Sequence, residues 1–381
     1  MTNQDEKYML SALKLAQRGI GSVEPNPAVG CIIVKAAQII GKGWHAKLGG
    51  PHAEINALED CKNLGVSPQG AIMYVTLEPC CHYGQTGPCT NAIIAAKLAK
   101  VVIATIDPSE HANGKGIEQL RKAGIDVQTG VCETEAKLLN ASFIKFATSG
   151  KCWVILKWAQ SIDGKLAWAN QTSGQRWISC EESRKDVQKL RRRAQAILVG
   201  IGTVIADNPL LTARPSKGKQ LVRVVLDNQL RIPLDCRLLA TAKKAPLLIF
   251  TRQETVQAKA QTVEHITKKG AEVLAYPDTQ GLSNLCFLLD ELNKRGIGRL
   301  LVEGGPKVFG SFLRNRLADE ICVYITPKIL GAQGSANIAE PMGELTDIVD
   351  LNYVEIKRIG DDVRLTGFSK KTLEEISILK S

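Results

Sequence analysis

Short apolar runs alternate with amphipathic helical patterns along almost the whole chain, and this alternation limits the possible folds more than any other feature. Residues 28–34, 196–200 and 299–303 have the length and composition of buried strands. Residues 5–17 and 181–192 instead repeat apolar side chains at helical spacing. Strands that alternate with helices predict an α/β fold.

The length of the chain predicts two domains. At 381 residues it exceeds the size of one ordinary hydrophobic core. A small polar turn, Thr148-Ser149-Gly150-Lys151, follows a predicted long helix over 133–148. We therefore predict a first domain over 1–148 and a second over 149–381. The pattern within 353–367 predicts a pair of antiparallel strands near the end of the second domain.

Nearly all of the chain's excess of positive charge lies in its second half. The net charge of +11 suggests a nucleic-acid partner. Residues 1–150, however, hold 14 Lys/Arg against 13 Asp/Glu, whereas residues 151–381 hold 35 against 25. The densest cluster, Arg191-Arg192-Arg193, closes a predicted helix. Phosphorylated small molecules account for this charge as well as RNA would, and we predict no nucleic-acid partner.

Composition also bears on the location of the protein. The first nine residues are polar and mixed in charge, which is not typical of a signal peptide. No apolar run reaches the roughly 18 residues that a membrane span needs. The eleven cysteines are odd in number, and most are scattered singly, which suits reduced thiols. We predict a cytoplasmic protein without a membrane partner.

The sharpest motif is His52-Ala53-Glu54, followed by Pro79-Cys80 and Cys89. One imidazole and two thiolates form the three-ligand set of a catalytic zinc, which keeps its fourth position open for water. Zinc lowers the pKa of that water to near neutrality. Glu54 begins a predicted helix and is free to take the water's proton and deliver it to a departing amine. The pattern is typical of zinc-dependent nucleobase deaminases.

Three other interpretations of the motif remain open. Cys81 or His82 would complete a closed, structural zinc site as the fourth ligand. A nucleoside or RNA deaminase with a non-catalytic C-terminal half is a second possibility. A zinc-stabilised scaffold or regulatory protein without activity is the third. The presence of Glu54 argues against a purely structural site, which has no use for an unligated carboxylate.

The loop between the two cysteines carries a more specific signal. Over the segment 76–89 the chain reads TLEPCCHYGQTGPC, which resembles the bifunctional deaminase/reductase family of riboflavin biosynthesis. The chain is also similar to this family at Pro25-Asn26-Pro27-Ala28-Val29-Gly30, at Gly43-Trp44-His45 and at Gly49-Gly50-Pro51-His52-Ala53-Glu54. The similarity continues through the second half to about Gly367.

The resemblance implies a fold, a reaction and cofactors. It implies an N-terminal cytidine-deaminase-like αβα sandwich and a C-terminal dihydrofolate-reductase-like α/β domain. The first domain would hydrolytically deaminate 2,5-diamino-6-(5-phosphoribosylamino)pyrimidin-4-one, a phosphorylated small-molecule pyrimidine. The second would reduce the ribosyl group to ribityl with NADPH. One Zn²⁺ per chain and a homodimer or homotetramer are also implied.

The resemblance also implies roles for residues in the deaminase domain. Zinc would be held by His52, Cys80 and Cys89, with Glu54 as the catalytic proton carrier. The pyrimidine and phosphate pocket would be lined by Asn26, His45 and His82. The chain departs from the family at Asp107-Pro108-Ser109-Glu110, where Asp-Pro-Asn-Pro is usual, and we assign no contact to that segment.

In the second half, residues 301–307 read as a strand, two glycines and a helix start, which lets backbone N–H groups approach a phosphate. By resemblance, NADPH would contact Ala159, Trp177, Thr203, Asp207, Gly305, Pro306, Lys307, Val308, Phe309, Gly310 and Ser311. The phosphorylated sugar would meet Arg191, Leu211, Arg214 and Glu303, while Lys157 and Glu303 would polarise the opened sugar's carbonyl and hydroxyls. Ser173 and Gln175 compete for the position of a substrate-binding serine.

Overall fold

The computed structural model describes residues 3–83, 87–169, 177–215, 220–277, 283–338 and 348–378. The chain divides into two compact units, Met1–Gly150 and Lys151–Ser381, so the division falls two residues after the predicted boundary. Each unit has its own buried apolar core. Among the described residues, no helix combines the length and apolar character that crossing a membrane requires.

The first unit is built on a five-stranded mixed sheet with the order β2-β1-β3-β4-β5. Strand β1 is antiparallel to β2 and β3, whereas β3, β4 and β5 are parallel. The strands are β1 (Gly30–Lys35), β2 (Gln38–Trp44), β3 (Ile72–Val75), β4 (Lys100–Ile103) and β5 (Asp126–Thr129). The helices are α1 (Asn3–Ala16), α2 (Ala53–Asn63), α3 (Cys89–Ala95), α4 (Lys115–Lys122), α5 (Glu133–Leu139) and α6 (Ala141–Ser149).

Successive residues of the central strands face opposite sides of this sheet, and each side is covered by helices. Ile33 packs with residues of α2, α3 and α4, whereas its neighbour Ile32 packs with residues of α1 and α5. The result is the predicted αβα sandwich of the cytidine-deaminase-like class, which is confirmed. The hairpin strand β2 and the strand β5 were not predicted, because their polar residues obscure the apolar pattern.

The predicted single helix over 133–148 is wrong, because the chain forms α5 and α6 with a break at Asn140. The Asn140 side chain is 3% exposed. Its Oδ1 accepts a hydrogen bond of 2.8 Å from the Ala28 N–H, and its Nδ2 donates one of 3.0 Å to the Ala28 carbonyl. Asparagine favours hydrogen bonds to backbone groups over a position inside a helix, and here it joins residues that are 112 positions apart.

The second unit contains a nine-stranded sheet with the order β11-β10-β9-β8-β12-β6-β13-β16-β15. Neighbours from β11 to β13 are parallel, whereas β16 is antiparallel to β13 and β15. A separate two-stranded sheet pairs β7 with β14. The strands are β6 (Trp153–Ser161), β7 (Lys165–Trp168), β8 (Ala196–Gly200), β9 (Val222–Leu226), β10 (Leu247–Arg252), β11 (Glu272–Tyr276), β12 (Arg299–Val302), β13 (Glu320–Thr326), β14 (Gly334–Asn337), β15 (Leu351–Ile359) and β16 (Asp362–Ser369).

Helices follow most of the parallel strands of this unit, as the alternating pattern predicts. They are α7 (Glu181–Arg193), α8 (Ile201–Asp207), α9 (Arg237–Ala240), α10 (Gln253–Ala258), α11 (Ala260–Lys268), α12 (Ser283–Lys294), α13 (Pro306–Arg314) and α14 (Lys370–Glu375), with a 3₁₀ turn at Gly331–Gln333. The predicted dihydrofolate-reductase-like α/β class and the closing antiparallel pair are confirmed. Strand β13 was not predicted, although it lies inside the sheet, between β6 and β16.

Candidate active sites

Three predicted metal ligands converge in the first unit. His52 is the N-cap of α2, Cys80 follows β3, and Cys89 is the first residue of α3. The Nδ1 atom of His52 lies 3.5 Å from the Cys80 sulfur and 3.3 Å from the Cys89 sulfur. One ligand atom from each residue lies within 4.8 Å of the others. This spacing suits three donors around one small cation.

The electrostatics of the two thiols also suit a cation. The hydrogen bond from the Cys89 thiol lowers the pKa of Cys80, although burial alone would raise it. The same bond raises the pKa of Cys89, so the pair keeps one proton between its two sulfurs. The Cys89 backbone N–H also donates to the Cys80 sulfur over 3.3 Å. A dipositive ion would take the place of the shared proton and stabilise two thiolates.

Glu54 lies in the first turn of α2 beside this cluster, with 3% of its surface exposed. Burial raises the pKa of its carboxyl to about 7, and the Cys80 sulfur adds to the increase. The carboxyl also lies within hydrogen-bonding reach of the Cys89 thiol. A carboxyl that titrates near neutrality is suited to both accepting and giving a proton.

A buried carboxylate that the sequence did not single out anchors the loop of Cys80. Glu78 is 4% exposed and directly precedes Pro79-Cys80. Its Oε2 accepts a hydrogen bond of 2.9 Å from Gly114 N–H, and its Oε1 accepts one of 2.9 Å from Gly116 N–H. The position of this glutamate directly before the Pro-Cys motif was the one signal in the sequence that could have identified it. Its partners lie more than 30 residues away along the chain, so the sequence did not reveal them.

The three predicted pocket residues of this unit differ in their surroundings. His45 is 3% exposed, and the centroid of its ring lies 5.3 Å from that of His52. Its Nδ1 lies 3.1 Å from the Pro51 carbonyl oxygen, and its Nε2 is buried without a hydrogen-bond partner among the described residues. Asn26 is half-buried, whereas His82 is exposed with its ring 5.7 Å from that of His111.

The second unit contains a cavity of about 1,600 Å³ at the carboxyl ends of its parallel strands. Ligands bind at this end of open α/β sheets. The volume exceeds the roughly 300–1,000 Å³ of ordinary small-molecule pockets, so it has room for a dinucleotide and a second ligand. The predicted residues that line it are Lys157, Ala159, Trp177, Arg191, Thr203, Asp207, Arg214, Glu303, Gly305, Pro306, Lys307, Val308, Phe309 and Ser311.

Two predicted contact residues do not line this cavity. Leu211 is buried in the loop that precedes Arg214 and has a positive φ of 52°. Gly310 is buried within α13. Ser173 and Gln175 lie outside the described residues. The other predicted reductase residues share one cavity although they come from several strands and helices.

The turn between β12 and α13 has the geometry that the two glycines predict. Gly305 is the N-cap of α13, and Pro306 occupies the first helical position. A β-carbon on Gly304 would lie 2.8 Å from the Val308 side chain, which explains glycine at that position. Pro306 has no N–H, and the N–H groups of Val308 and Phe309 donate to the Gly305 carbonyl over 3.0 and 3.2 Å. The Lys307 N–H and the positive end of the helix dipole therefore favour a phosphate group at this turn.

Arg191 and Glu303 form an ion pair at the carboxyl end of β12, close to Lys157. Arg191 donates two hydrogen bonds to Glu303, from Nε over 2.9 Å and from Nη2 over 2.7 Å. Its Nη1 donates to the Thr212 carbonyl over 3.2 Å. Burial raises the pKa of Glu303, but Arg191 and Lys157 outweigh burial and lower it to about 2. Glu303 is therefore a carboxylate, and Arg191 positions it as well as facing the cavity.

Two family models match the chain. One, described as the RibD C-terminal domain, matches residues 152–365. The other, described as the cytidine and deoxycytidylate deaminase zinc-binding region, matches residues 2–105. Each match falls within one of the two units, and the second match includes the cluster of His52, Cys80 and Cys89.

Full-length relatives agree with these matches. The riboflavin biosynthesis protein RibD of Aquifex aeolicus is 46% identical over 94% of this chain and 97% of its own length. The RibD protein of Escherichia coli is 39% identical over 95% of this chain and 98% of its own length.

Solved structures agree as well. Acinetobacter baumannii RibD has a TM-score of 0.80 at 36% identity, with 96% of this chain and 99% of that chain covered. A diaminohydroxyphosphoribosylaminopyrimidine deaminase/5-amino-6-(5-phosphoribosylamino)uracil reductase from Thermotoga maritima has a TM-score of 0.80 at 35% identity. The match covers 96% of this chain and 99% of that chain. The chain therefore belongs to the RibD family of riboflavin biosynthesis proteins.

Proposed function

We propose that the chain deaminates 2,5-diamino-6-(5-phosphoribosylamino)pyrimidin-4-one by zinc-dependent hydrolysis and then reduces the ribosyl group to ribityl with NADPH. Residues 1–148 would carry the deaminase and residues 149–381 the reductase. The observation that carries the proposal is the three-ligand cluster beside the buried, unligated carboxyl of Glu54. The deaminase and reductase activities for which the Thermotoga maritima relative is named support the same substrate class.

For deamination, His52, Cys80 and Cys89 would hold the zinc. The bound metal would supply a water molecule that loses its proton near neutral pH. Glu54 would accept that proton and deliver it to the amino group, which leaves as ammonia, while the oxygen stays on the pyrimidine ring. His45 would lie against the substrate, because its ring adjoins His52 and its Nε2 is buried without a partner among the described residues. Asn26 and His82 would line the same pocket.

For reduction, the residues that line the cavity at the carboxyl ends of the strands would hold NADPH, and the start of α13 would favour its pyrophosphate. When bound, NADPH would be the source of the hydride that C1′ of the opened sugar receives. Lys157 would polarise the double bond at C1′ and favour the accompanying proton transfer, while Glu303 would orient the sugar hydroxyls. Leu211 and Arg214 would contact the phosphorylated sugar, and Arg191 would do so while it holds Glu303.

The remaining features of the proposal concern the whole protein. We propose a cytoplasmic homodimer or homotetramer whose partners are small molecules rather than nucleic acid. The near-neutral charge of residues 1–150 supports this choice over an RNA deaminase, since RNA binding depends strongly on Lys and Arg contacts to phosphates.

The test is to supply the diaminopyrimidinone phosphoriboside to the full chain with and without NADPH, and to identify products by mass spectrometry. Without NADPH, the product should show only the exchange of one amino group for oxygen. With NADPH, a further product should carry two additional hydrogen atoms. Absence of the first product would contradict the deaminase, whereas absence of only the second would contradict the reductase.

A further inference from the structure

Lys157 and Arg191 are two cations that face the same carboxylate, that of Glu303. The Lys157 side chain lines the cavity from β6, and Glu303 is the carboxylate that attracts it. Glu303, however, already accepts both hydrogen bonds of a bidentate pair with Arg191. Two cations therefore face one anion, and Arg191 repels the ammonium of Lys157. A further source of negative potential would therefore stabilise the ammonium.

The ring of Tyr324 is such a source. The Lys157 Nζ lies 5.6 Å from the centroid of this ring, within the range of a cation–π interaction. Strand β13 runs parallel to β6, with Cys322 opposite Lys157 and Tyr324 opposite Ala159. Tyr324 is fully buried, so little water screens the attraction between the ammonium and the ring face.

A hydrogen bond made by the Tyr324 hydroxyl fixes the orientation of the ring. Its hydroxyl donates a hydrogen bond of 2.8 Å to Asp186 Oδ2, and Arg364 donates one of 2.7 Å to the same oxygen. Helix α7 carries Asp186 and, five positions later, Arg191. One helix thus holds both groups that flank Lys157: Tyr324 through Asp186, and Glu303 through Arg191.

The charged and titratable groups around Lys157 come from three directions. They are Glu303 after β12, Arg191 on α7, and Cys322 with Tyr324 on β13. Burial lowers the pKa of Lys157, Glu303 raises it, and Arg191 lowers it again. Burial raises the pKa of Cys322 to about 11, so this thiol is neutral near pH 7.

We propose that Tyr324 is a positioning residue of the reductase, whose ring face keeps the Lys157 ammonium protonated and directed into the cavity. The inference rests on the proposed reductase function and on the role of Lys157 in it. The hydroxyl of Tyr324 serves to orient the ring, whereas the ring face acts on Lys157. This division of roles distinguishes the proposal from a purely structural role for a buried tyrosine.

The experiment is the pH profile of NADPH oxidation by the full chain, with 5-amino-6-(5-phosphoribosylamino)uracil as substrate. Activity should fall at high pH as Lys157 loses its proton. In Tyr324→Leu, the loss of the ring should move this basic limb to lower pH by about 0.5 to 1.5 pH units. Tyr324→Phe keeps the ring and should leave the basic limb close to that of the unmodified protein.

A second series keeps the size of the side chain. Phenylalanines with one, two or three ring fluorines at position 324 weaken the negative potential of the ring face in steps. The basic limb should move to lower pH in the same order. This series tests the proposal even if Tyr324→Leu does not fold, because the fluorinated rings fill the same space.

Leu292→Ala provides the control for a general loss of packing. Leu292 is fully buried in α12, in the apolar core of the second unit. Its removal should lower stability without moving the basic limb. An unchanged basic limb across the fluorinated series would overturn the proposal, as would equal shifts in Tyr324→Phe and Tyr324→Leu. A wild-type protein without reductase activity would instead contradict the proposed function.

Discussion

Glu54 and Glu303 are both buried carboxyl groups, yet their pKa values move in opposite directions. Burial dominates at Glu54 and raises its pKa to about 7. At Glu303, Arg191 and Lys157 outweigh burial, and the pKa falls to about 2. The first group is therefore suited to carrying a proton, whereas the second keeps its negative charge at neutral pH. The chemistry of each residue follows from its neighbours rather than from its residue type.

Replacement of Glu54 by Gln should lower the rate of deamination by roughly 10²–10⁴-fold, the usual contribution of a general acid–base. The amide has similar size but does not accept the water's proton. Zinc content, measured by metal analysis, should stay at one ion per chain, since Glu54 is not one of the three proposed ligands. Glu59→Gln on the exposed face of α2 is the matched control and should keep full activity. Undiminished turnover in Glu54→Gln would remove this residue from the mechanism.

Glu303 should make the stability of the second unit depend on pH. Its folded-state pKa of about 2 lies below the reference value of 4.5, so its stabilising contribution is fully present above about pH 4.5. That contribution, about 3 kcal/mol, is lost as the pH falls towards 2. Urea denaturation at several pH values should show this loss, and Glu303→Gln should reduce the slope between pH 5 and 2. A slope unchanged by the substitution would contradict the ion-pair explanation.

Single residues were predictable where their role is chemical and their motif is local. His52, Cys80, Cys89 and Glu54 were predicted from their residue types and order in the motif, and the structure brings the three ligand atoms together. Tyr324, in contrast, acts through a residue more than 160 positions away and carries no motif. Its position opposite Ala159 depends on the register between two strands, which sequence patterns do not fix.

At the level of elements, the apolar periodicity predicted the strand β8 with the bounds that the structure has. The apolar periodicity gave a wrong prediction where a side chain forms hydrogen bonds with backbone groups that are distant in the sequence. Residues 133–148 have a continuous helical pattern, but Asn140 interrupts it because its amide pairs with Ala28. Helix α7 was predicted as a helix, whereas its function of holding two pocket residues was not, since that depends on what it packs against.

Replacement of Asn140 by Ala should destabilise the first unit. The Ala28 N–H and carbonyl would lose their partners in a buried position, at a cost of about 1–3 kcal/mol for each group. A thermal melt followed by loss of deaminase activity should shift to lower temperature, while loss of reductase activity should not. Asn91→Ala on α3, whose side chain bonds to Gln119 in an exposed position, is the control and should cost much less. Equal shifts in the two variants would contradict this assignment.

For the whole molecule, the two proposed activities have separate cores and separate ligand sets. The three candidate zinc ligands lie in the first unit, and every residue that lines the large cavity lies in the second. The division into two domains was predictable from length and the polar turn. The excess of positive charge in residues 151–381 also agrees with a cavity proposed to bind two phosphorylated ligands.

Removal of zinc by a chelator should therefore abolish deamination but leave NADPH-dependent reduction of the supplied uracil substrate. Restoration of deamination by added zinc, with Glu54→Gln as the negative control, would show that the loss is not due to unfolding. Parallel loss of both activities on chelation would contradict the independence of the two units. NADPH should also protect the reductase activity from heat more than NADH does, which the same samples would measure.

The pairing of Asn140 with Ala28 has a consequence for how the protein is made. A ribosome releases residue 28 long before residue 140, and translation adds on the order of 5–20 residues per second. The earliest part of the nascent chain must therefore wait several seconds for the amide that completes its hydrogen bonds. During that interval the backbone groups of Ala28 lack their partners in the folded protein and are accessible to solvent and to chaperones. The first unit completes its folding only when nearly all of it has been synthesised.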